Sequence, residues 1–176
     1  MEKIFILIKV VMCTSTKIWE EESPIARSFQ DIVDLSEHSE QLNGKTITFE
    51  GIIIEPQMEN YLYNIARTKY LEKIIYNNCI IDEDNIYTIF VPSFYNGNTF
   101  GIINCNLNAD QVKEILFQLL DPCFNVSFDF SNNKLGENGS ELLEYLSKKG
   151  MDGVHSLTLK GNGFKEEDIS NFLKTR

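Results

Sequence analysis

The sequence has few of the side chains that bind transition metals. Its 176 residues include 4 cysteines and 2 histidines, which are Cys13, Cys79, Cys105, Cys123, His38 and His155. No two cysteines form a CxxC pair, and neither histidine has a cysteine, serine or acidic residue at a recognisable catalytic spacing. The composition therefore argues against a zinc site, and we predict no metal, no cofactor and no catalytic residues.

Cysteine is also too sparse for a small fold held together by disulfides. The even number of cysteines leaves disulfide pairing as the alternative. We predict free thiols in a reducing compartment, and the expected location is the cytoplasm.

Basic residues are scarce relative to acidic ones. The chain has 16 Lys and Arg against 26 Asp and Glu, a formal net charge of −10 at pH 7. An acidic surface repels phosphate backbones, so nucleic-acid binding is disfavoured. The same charge would attract a basic partner protein, although solubility alone explains it equally well.

The sequence lacks an apolar run long enough to span a bilayer. The most apolar stretch near the start runs from Ile4 to Met12, is interrupted by Lys9, and is too short to cross a membrane. A secretion signal is the alternative, but the preceding residues are barely basic and no clear cleavage site follows. A buried N-terminal strand without membrane association is predicted.

One eight-residue pattern recurs along the chain. FDFSNNKL ends at Leu135 and LTLKGNGF ends at Phe164, each with apolar residues at positions one, three and eight and Asn at position six. With Cys or Ile allowed at position six, three more units lie upstream. The final positions are spaced 26 to 29 residues apart and are Ile54, Ile81, Leu107, Leu135 and Phe164. A degenerate unit is predicted at Val11, Cys13, Thr16 and Ile18.

Helical patterns separate these units. After Leu107, apolar residues follow the spacing of one helix face, at Val112, Ile115, Leu116, Leu119 and Leu120. Similar spacing predicts a helix through Ile86, Ile89 and Phe90. The first two helices are predicted over Ser23 to Glu37 and Gln57 to Lys69. Strand and helix thus alternate, which predicts an α/β fold.

This alternation resembles the leucine-rich repeat family, in its ribonuclease-inhibitor-like subclass. The resemblance covers residues 46–176 as five repeats, with residues 1–45 as an N-terminal strand/helix cap or degenerate first repeat. It implies a short solenoid with parallel strands on the concave face and helices on the convex face. The departures are Ile52 at position six, Pro122 with Cys123 in a linker, and a long first interval.

The family uses position six to bond buried backbone groups of adjacent units. The resemblance therefore implies a ladder of side chains formed by Asn162, Asn133, Cys105 and Cys79. Two of the four cysteines would then be structural. Repeat packing also explains Gly161 and Gly163 without a nucleotide-binding loop.

The residues between the apolar anchors are expected to face outward and to contact a partner. Ile75 and Ile103 are expected side by side on neighbouring strands, as apolar residues ringed by small polar ones. The alternative is that β-branched residues simply suit strands. The predicted partner-binding residues are Thr48, Glu50, Ile75, Asn77, Ile103, Asp129, Ser131, Thr158 and Lys160.

The family resemblance implies a non-catalytic module that binds another protein. Small arrays of this kind resemble effectors that intracellular bacteria secrete into host cells, and the C-terminal KEEDISNFLKTR resembles a type IV secretion signal. The acids of that segment equally suit the first turn of a helix. An enzyme, or a fragment of one, whose catalytic site is not evident in the sequence is the alternative function.

Overall fold

Strands and helices alternate along the chain. The computed structural model describes residues 18–68, 71–81, 99–119, 126–149 and 154–174. The strands are β1 (Ile25–Ala26), β2 (Thr46–Glu50), β3 (Lys73–Asn77), β4 (Thr99–Ile103), β5 (Val126–Asp129) and β6 (Val154–Thr158). The helices are α1 (Phe29–Glu37), α2 (Glu59–Ala66), α3 (Ala109–Leu119), α4 (Gly139–Lys149) and α5 (Glu166–Lys174). Short 3₁₀ turns span Ile18–Glu20, Ser39–Leu42, Pro56–Met58 and Leu135–Asn138.

The six strands form one parallel sheet in the order β1-β2-β3-β4-β5-β6, which is also their order in the sequence. Between β2 and β4 the register is continuous, with Ile47 beside Ile74 and Ile74 beside Phe100. A single irregularity lies between β5 and β6, at Val126/Ser127. The predicted α/β class with parallel strands is therefore confirmed.

One face of the sheet is buried because apolar residues alternate along each strand. The buried aromatic rings of successive strands contact one another across the sheet. The Phe49 and Tyr76 rings stack with centroids 4.8 Å apart, and Tyr76 meets Phe100 edge-on at 6.0 Å. Phe100 in turn meets Phe128 at 6.3 Å. These contacts join neighbouring units into one core.

The helices supply the other side of that core. Val112, Ile115 and Leu116 of α3 are buried, as the helical spacing predicted, and so are Leu142 and Leu146 of α4. These two helices have 11 residues each. Across the part of the chain that the structure describes, none of the helices is both long and apolar enough to cross a bilayer.

The first helix begins later than predicted, at Phe29 rather than Ser23. Ser28 caps it: the Ser28 hydroxyl accepts a hydrogen bond from Asp31 N, and the Asp31 carboxylate accepts one from Ser28 N at 2.9 Å. The preceding Ile25–Ala26 pairs with β2 instead of joining the helix. Sequence reasoning missed this strand.

Other predicted boundaries also shift. The second helix begins at Glu59 rather than Gln57, because Pro56–Met58 forms a 3₁₀ turn, and it ends at Ala66. Ile18, the last residue of the degenerate unit, lies in a 3₁₀ turn. The rest of that unit, the N-terminal strand at residues 4–12 and the helix around residues 86–90 lie outside the described residues.

Candidate functional site

The face of the sheet opposite the core is not covered by a helix within the described residues. Its central row runs across five strands in continuous register. The row contains Thr48, Ile75, Gly101, Asp129 and Thr158. Four of these were predicted to contact a partner, and the parallel pairing places them side by side.

A second row lies two residues further along each strand. Glu50, Asn77 and Ile103 are in register, and backbone hydrogen bonds at the strand ends continue the row to Ser131 and Lys160. The structure therefore brings all nine predicted contact residues onto one surface. Hereafter we call this surface the open face.

Ile75 and Ile103 are not directly opposite each other, which corrects the expected arrangement. Ile75 pairs with Gly101, whereas Ile103 pairs with Asn77. The two isoleucines are therefore diagonal neighbours on adjacent strands. Ile75 occupies position two of the repeated pattern, whereas Ile103 occupies position four, and this difference accounts for the offset.

Gly101 allows the two isoleucines to form one apolar patch. A Cβ placed on Gly101 would lie 3.6 Å from Ile103 Cδ1, so the Ile103 side chain extends over the bare backbone of Gly101 toward the row of Ile75. Both isoleucines remain partly exposed. Together with Gly101 they form what we call the central patch, which lies among polar residues of the open face.

The polar residues of the open face differ in how much surface they offer a partner. Thr158 and Lys160 are exposed, and Thr48 and Asn77 are partly exposed. Ser131 is only 8% exposed, and its backbone N–H and hydroxyl both donate to Asp129 Oδ1. Ser131 therefore orients the Asp129 carboxylate, and it offers a partner little surface of its own.

Charge on the open face is balanced. The described residues there include two acids, Glu50 and Asp129, and two bases, Lys73 and Lys160, the last of which follows the end of β6. Arg27 adds an ion pair with Glu50 at 2.8 Å. The described residues of the open face therefore carry no acidic excess, and the net charge of −10 does not describe them.

The predicted ladder of position-six side chains is confirmed. Asn162 Oδ1 accepts a hydrogen bond from Asn133 N at 2.9 Å, and Asn133 Oδ1 accepts one from Cys105 N at 3.0 Å. Cys105 Sγ then accepts one from Cys79 N at 3.3 Å. These four side chains link successive turns beneath the end of the sheet, and they hold the rows of the open face in place.

The thiols of the ladder are buried and serve as hydrogen-bond donors. Cys79 Sγ donates to Phe49 O at 3.3 Å, and Cys105 Sγ donates to Ile103 O at 3.2 Å. The hydrogen bond with the Cys79 side chain, and burial, raise the pKa of the Cys105 thiol. Both cysteines are free, and Cys13 and Cys123 lie outside the described residues.

Sequence reasoning missed a backbone feature at the residue before each ladder position. Its φ is positive in all five units, between 54° and 74°. The sequence did carry a signal for it, since every one of these positions holds Gly or Asn, the residues that adopt a positive φ most readily. The five residues are Gly51, Asn78, Asn104, Asn132 and Gly161. Three of them are asparagines whose side chains line the rim of the sheet.

A second missed feature is an exposed apolar pair beside that rim. Ile53 and Ile80 form an isolated parallel bridge and are 55% and 61% exposed. Both occupy position seven of the repeated pattern. Both isoleucines can be read from the sequence, but the repeated pattern does not indicate whether position seven is buried or exposed.

The two histidines lie on different elements of the fold. His38 follows the last residue of α1 as its C-cap, and its Nδ1 lies 2.9 Å from Asp34 O. His155 is exposed on β6. Within the described ranges there is no cluster of three or more His, Cys, Asp or Glu residues that could hold a metal ion.

Comparison with models of known protein families finds no match to this chain. A search of curated proteins also finds none that matches.

Proposed function

We propose that the protein is a non-catalytic module that binds a partner protein through the open face. The central patch of Ile75, Gly101 and Ile103 is the observation that carries this proposal. It places partly exposed apolar side chains at the middle of a surface whose margin is polar. Protein-binding surfaces commonly have such an apolar centre, which supplies most of the affinity, and a hydrated polar rim.

We also propose that the chain is a leucine-rich-repeat solenoid of the ribonuclease-inhibitor-like subclass. Residues 46–176 would form five repeats, and residues 1–45 a cap or degenerate first repeat. The consecutive order of the parallel strands, the spacing of 26 to 29 residues and the side-chain ladder support this assignment. In such an array the open face would be concave, and members of that family bind other proteins there.

The proposed partner is a protein with a basic surface. The net charge of −10 would attract it at long range, which raises the association rate more than the affinity. Because charges on the open face are balanced, the contact itself would depend chiefly on the central patch. A host protein bound by a secreted bacterial effector is the specific version of this proposal, and the resemblance of the C-terminus to a secretion signal supports it.

The test is affinity purification from eukaryotic lysate, followed by direct titration of the captured protein. The wild type is compared with an Ile75→Glu/Ile103→Glu variant, which places two charges on the central patch. Both isoleucines lie outside the core, so the variant should fold. We expect it to lose the partner that the wild type captures, with at least a tenfold increase in Kd, about 1.4 kcal/mol.

The matched control is Phe117→Glu on α3. Phe117 is 59% exposed, but it lies on a helix and not on the open face. This variant should bind as the wild type does. Capture of the same protein by the Ile75→Glu/Ile103→Glu variant at unchanged affinity would remove the open face as the binding surface.

A further inference from the structure

Two cysteines occupy neighbouring positions of the ladder, in the turns that follow β3 and β4. The strands are in register up to Asn77 and Ile103, which pair directly, and Cys79 and Cys105 each lie two residues further on. A backbone hydrogen bond from Asn78 N to Ile103 O at 3.0 Å continues the alignment into the turns. Neighbouring strands are about 4.8 Å apart, which falls within the Cα separation of roughly 4.4–6.8 Å that disulfides span.

The Cys105 side chain extends toward the turn that contains Cys79. Cys105 Sγ lies 3.3 Å from Cys79 N and 3.5 Å from Tyr76 O. Cys79 Sγ lies 3.3 Å from Phe49 O, in the direction of the preceding unit. The movement that would join the two sulfurs is therefore a rotation of the Cys79 side chain away from Phe49 O and toward Cys105.

The structural role of these two positions does not require thiols. In the next unit the ladder position is Asn133, whose amide accepts a hydrogen bond from Cys105 N at 3.0 Å and donates one to Ile102 O at 2.8 Å. A thiol is a weak donor and a weak acceptor by comparison. The ladder thus places its two weaker members side by side, and redox chemistry is what they have and asparagine lacks.

A cavity at the rim of the sheet leads to the two thiols. It has a volume of about 410 Å³, and both cysteines line it together with several amide side chains. Among these amides, Asn78, Asn104 and Asn106 are exposed. Cys79 and Cys105 themselves are only 3% and 4% exposed. A small oxidant can therefore reach the thiols more readily than a protein or a bulky disulfide can.

We propose that Cys79 and Cys105 form a reversible disulfide when the protein encounters a small hydroperoxide such as hydrogen peroxide. One thiol loses its proton, its sulfur attacks a peroxide oxygen, the O–O bond breaks, and a sulfenic acid forms as the first water leaves. The second sulfur then attacks the first and displaces hydroxide, which leaves as a second water with the proton of the second thiol. The cysteines give up two electrons, and one peroxide is reduced to two waters. A thiol reductant reverses the bond by exchange.

The disulfide would join the two strands that carry the central patch, since Ile75 lies on β3 and Ile103 on β4. It closes a loop of the intervening chain, which lowers the entropy of the unfolded state and stabilises the fold. The hydrogen bonds that are lost come from thiols, which are weak donors. The backbone bond from Asn78 N to Ile103 O does not involve the thiols. Oxidation should therefore raise the melting temperature without rearranging the sheet.

Mass spectrometry of the full chain after treatment with hydrogen peroxide tests the proposal. No Lys or Arg lies between Lys73 and Lys113, so trypsin releases both cysteines in one peptide, which should become lighter by two hydrogen atoms on oxidation. Further cleavage after Glu83 separates the cysteines in the sequence. The two pieces should stay joined until dithiothreitol is added. The melting temperature should rise with the peroxide and return with dithiothreitol.

The matched control is Cys105→Asn, which places here the residue that the next unit has at this position. The variant keeps an acceptor for Cys79 N, so it should fold. Peroxide should neither join its two pieces nor raise its melting temperature. Cys79→Ser removes the other thiol of the pair and should give the same result.

Three results would overturn the proposal. The first is a wild type whose two cysteines stay reduced in peroxide, or are oxidised to sulfinic or sulfonic acid without joining. The second is a link from either cysteine to Cys13, to Cys123 or to another copy of the chain in place of the expected one. The third is a Cys79–Cys105 disulfide that lowers the melting temperature, which would mean that the bond opposes the native arrangement of the two turns.

Discussion

Asn133 Oδ1 accepts the backbone N–H of Cys105 at 3.0 Å, so one side chain fixes the turn of the preceding unit. The same oxygen accepts Leu107 N at 3.1 Å. Asn133 Nδ2 donates to the carbonyls of Ile102 and Phe130 at 2.8 and 2.9 Å. One amide thus satisfies backbone groups of two units, and it is only 6% exposed.

Asn133→Leu should therefore destabilise the fold strongly. Leucine keeps the volume but leaves several buried backbone groups without partners, and each such group costs roughly 1–3 kcal/mol. Cys105→Ser should cost less, because a hydroxyl can still accept from Cys79 N and donate to a carbonyl. Chemical denaturation of both variants measures the free energy of unfolding.

The control for Asn133→Leu is Asn60→Leu, at an exposed position of α2. This change should alter the free energy of unfolding by less than about 0.5 kcal/mol. Equal stability of Asn133→Leu and the wild type would mean that the ladder does not support the fold.

Raised pH should also act on the core beside the ladder. Burial, and the nearby thiols of Cys79 and Cys105, raise the pKa of the Tyr76 hydroxyl. The unfolded chain releases this proton at the ordinary value of 10.0, whereas the folded chain retains it. Its contribution to stability is therefore complete below pH 10 and is lost as the pH rises above it.

Denaturation at a series of pH values above neutrality measures this effect. Wild type should lose stability more steeply above pH 10 than a Tyr76→Phe variant, which lacks this group. The difference between the two slopes isolates Tyr76 from the lysines that also titrate there. Parallel slopes would show that the folded chain does not retain this proton.

A comparison of two glycines tests how closely the last units pack. A Cβ at Gly136 would lie 2.3 Å from Gly163 O, which is a backbone atom that cannot move aside easily. At Gly101 the nearest atoms are 3.6 Å away. Gly136→Ala should therefore destabilise by about 1–3 kcal/mol, whereas Gly101→Ala should be neutral or slightly stabilising. Thermal denaturation of the two variants checks this, and a smaller loss for Gly136→Ala than for Gly101→Ala would contradict the packing.

The ladder, and the side of each strand that faces the core, could be predicted from the sequence because both features repeat from unit to unit. Asn133 and Asn162 occupy the same position of one pattern, and the alternation of apolar residues fixes which side of each strand is buried. Repetition allows a weak local signal to be read several times. The result is a reliable register for the units that share the pattern.

Features that occur once were harder to predict. β1 has two residues, Ile25 and Ala26, which are too few to show an alternation. The start of α1 was set by Ser28 and Asp31, a capping pair that the hydrophobic spacing does not reveal. For the open face, the sequence predicted the residues, but not that Ile103 lies diagonal to Ile75 with its side chain over Gly101. That detail depends on side-chain packing between strands.

The absence of a side chain at Gly101 should matter for partner binding. Gly101 lies between Ile75 and Asp129 in register, and the Ile103 side chain extends over it. A longer side chain there would separate the two isoleucines and put polar atoms at the middle of the central patch. Gly101→Gln is the useful change, because it adds bulk without charge. It should not destabilise the strand, since glycine is itself unfavourable there.

We expect Gly101→Gln to raise the Kd for the captured partner about tenfold, which corresponds to about 1.4 kcal/mol. Thr46→Gln is the matched control, because Thr46 lies on the same face of the sheet but at the start of β2, away from the patch. Titration calorimetry with the purified partner measures both variants. Loss of affinity in Gly101→Gln alone would locate the contact at the central patch. An equal loss in both variants would indicate a broad contact across the open face, and no loss in either would indicate another surface.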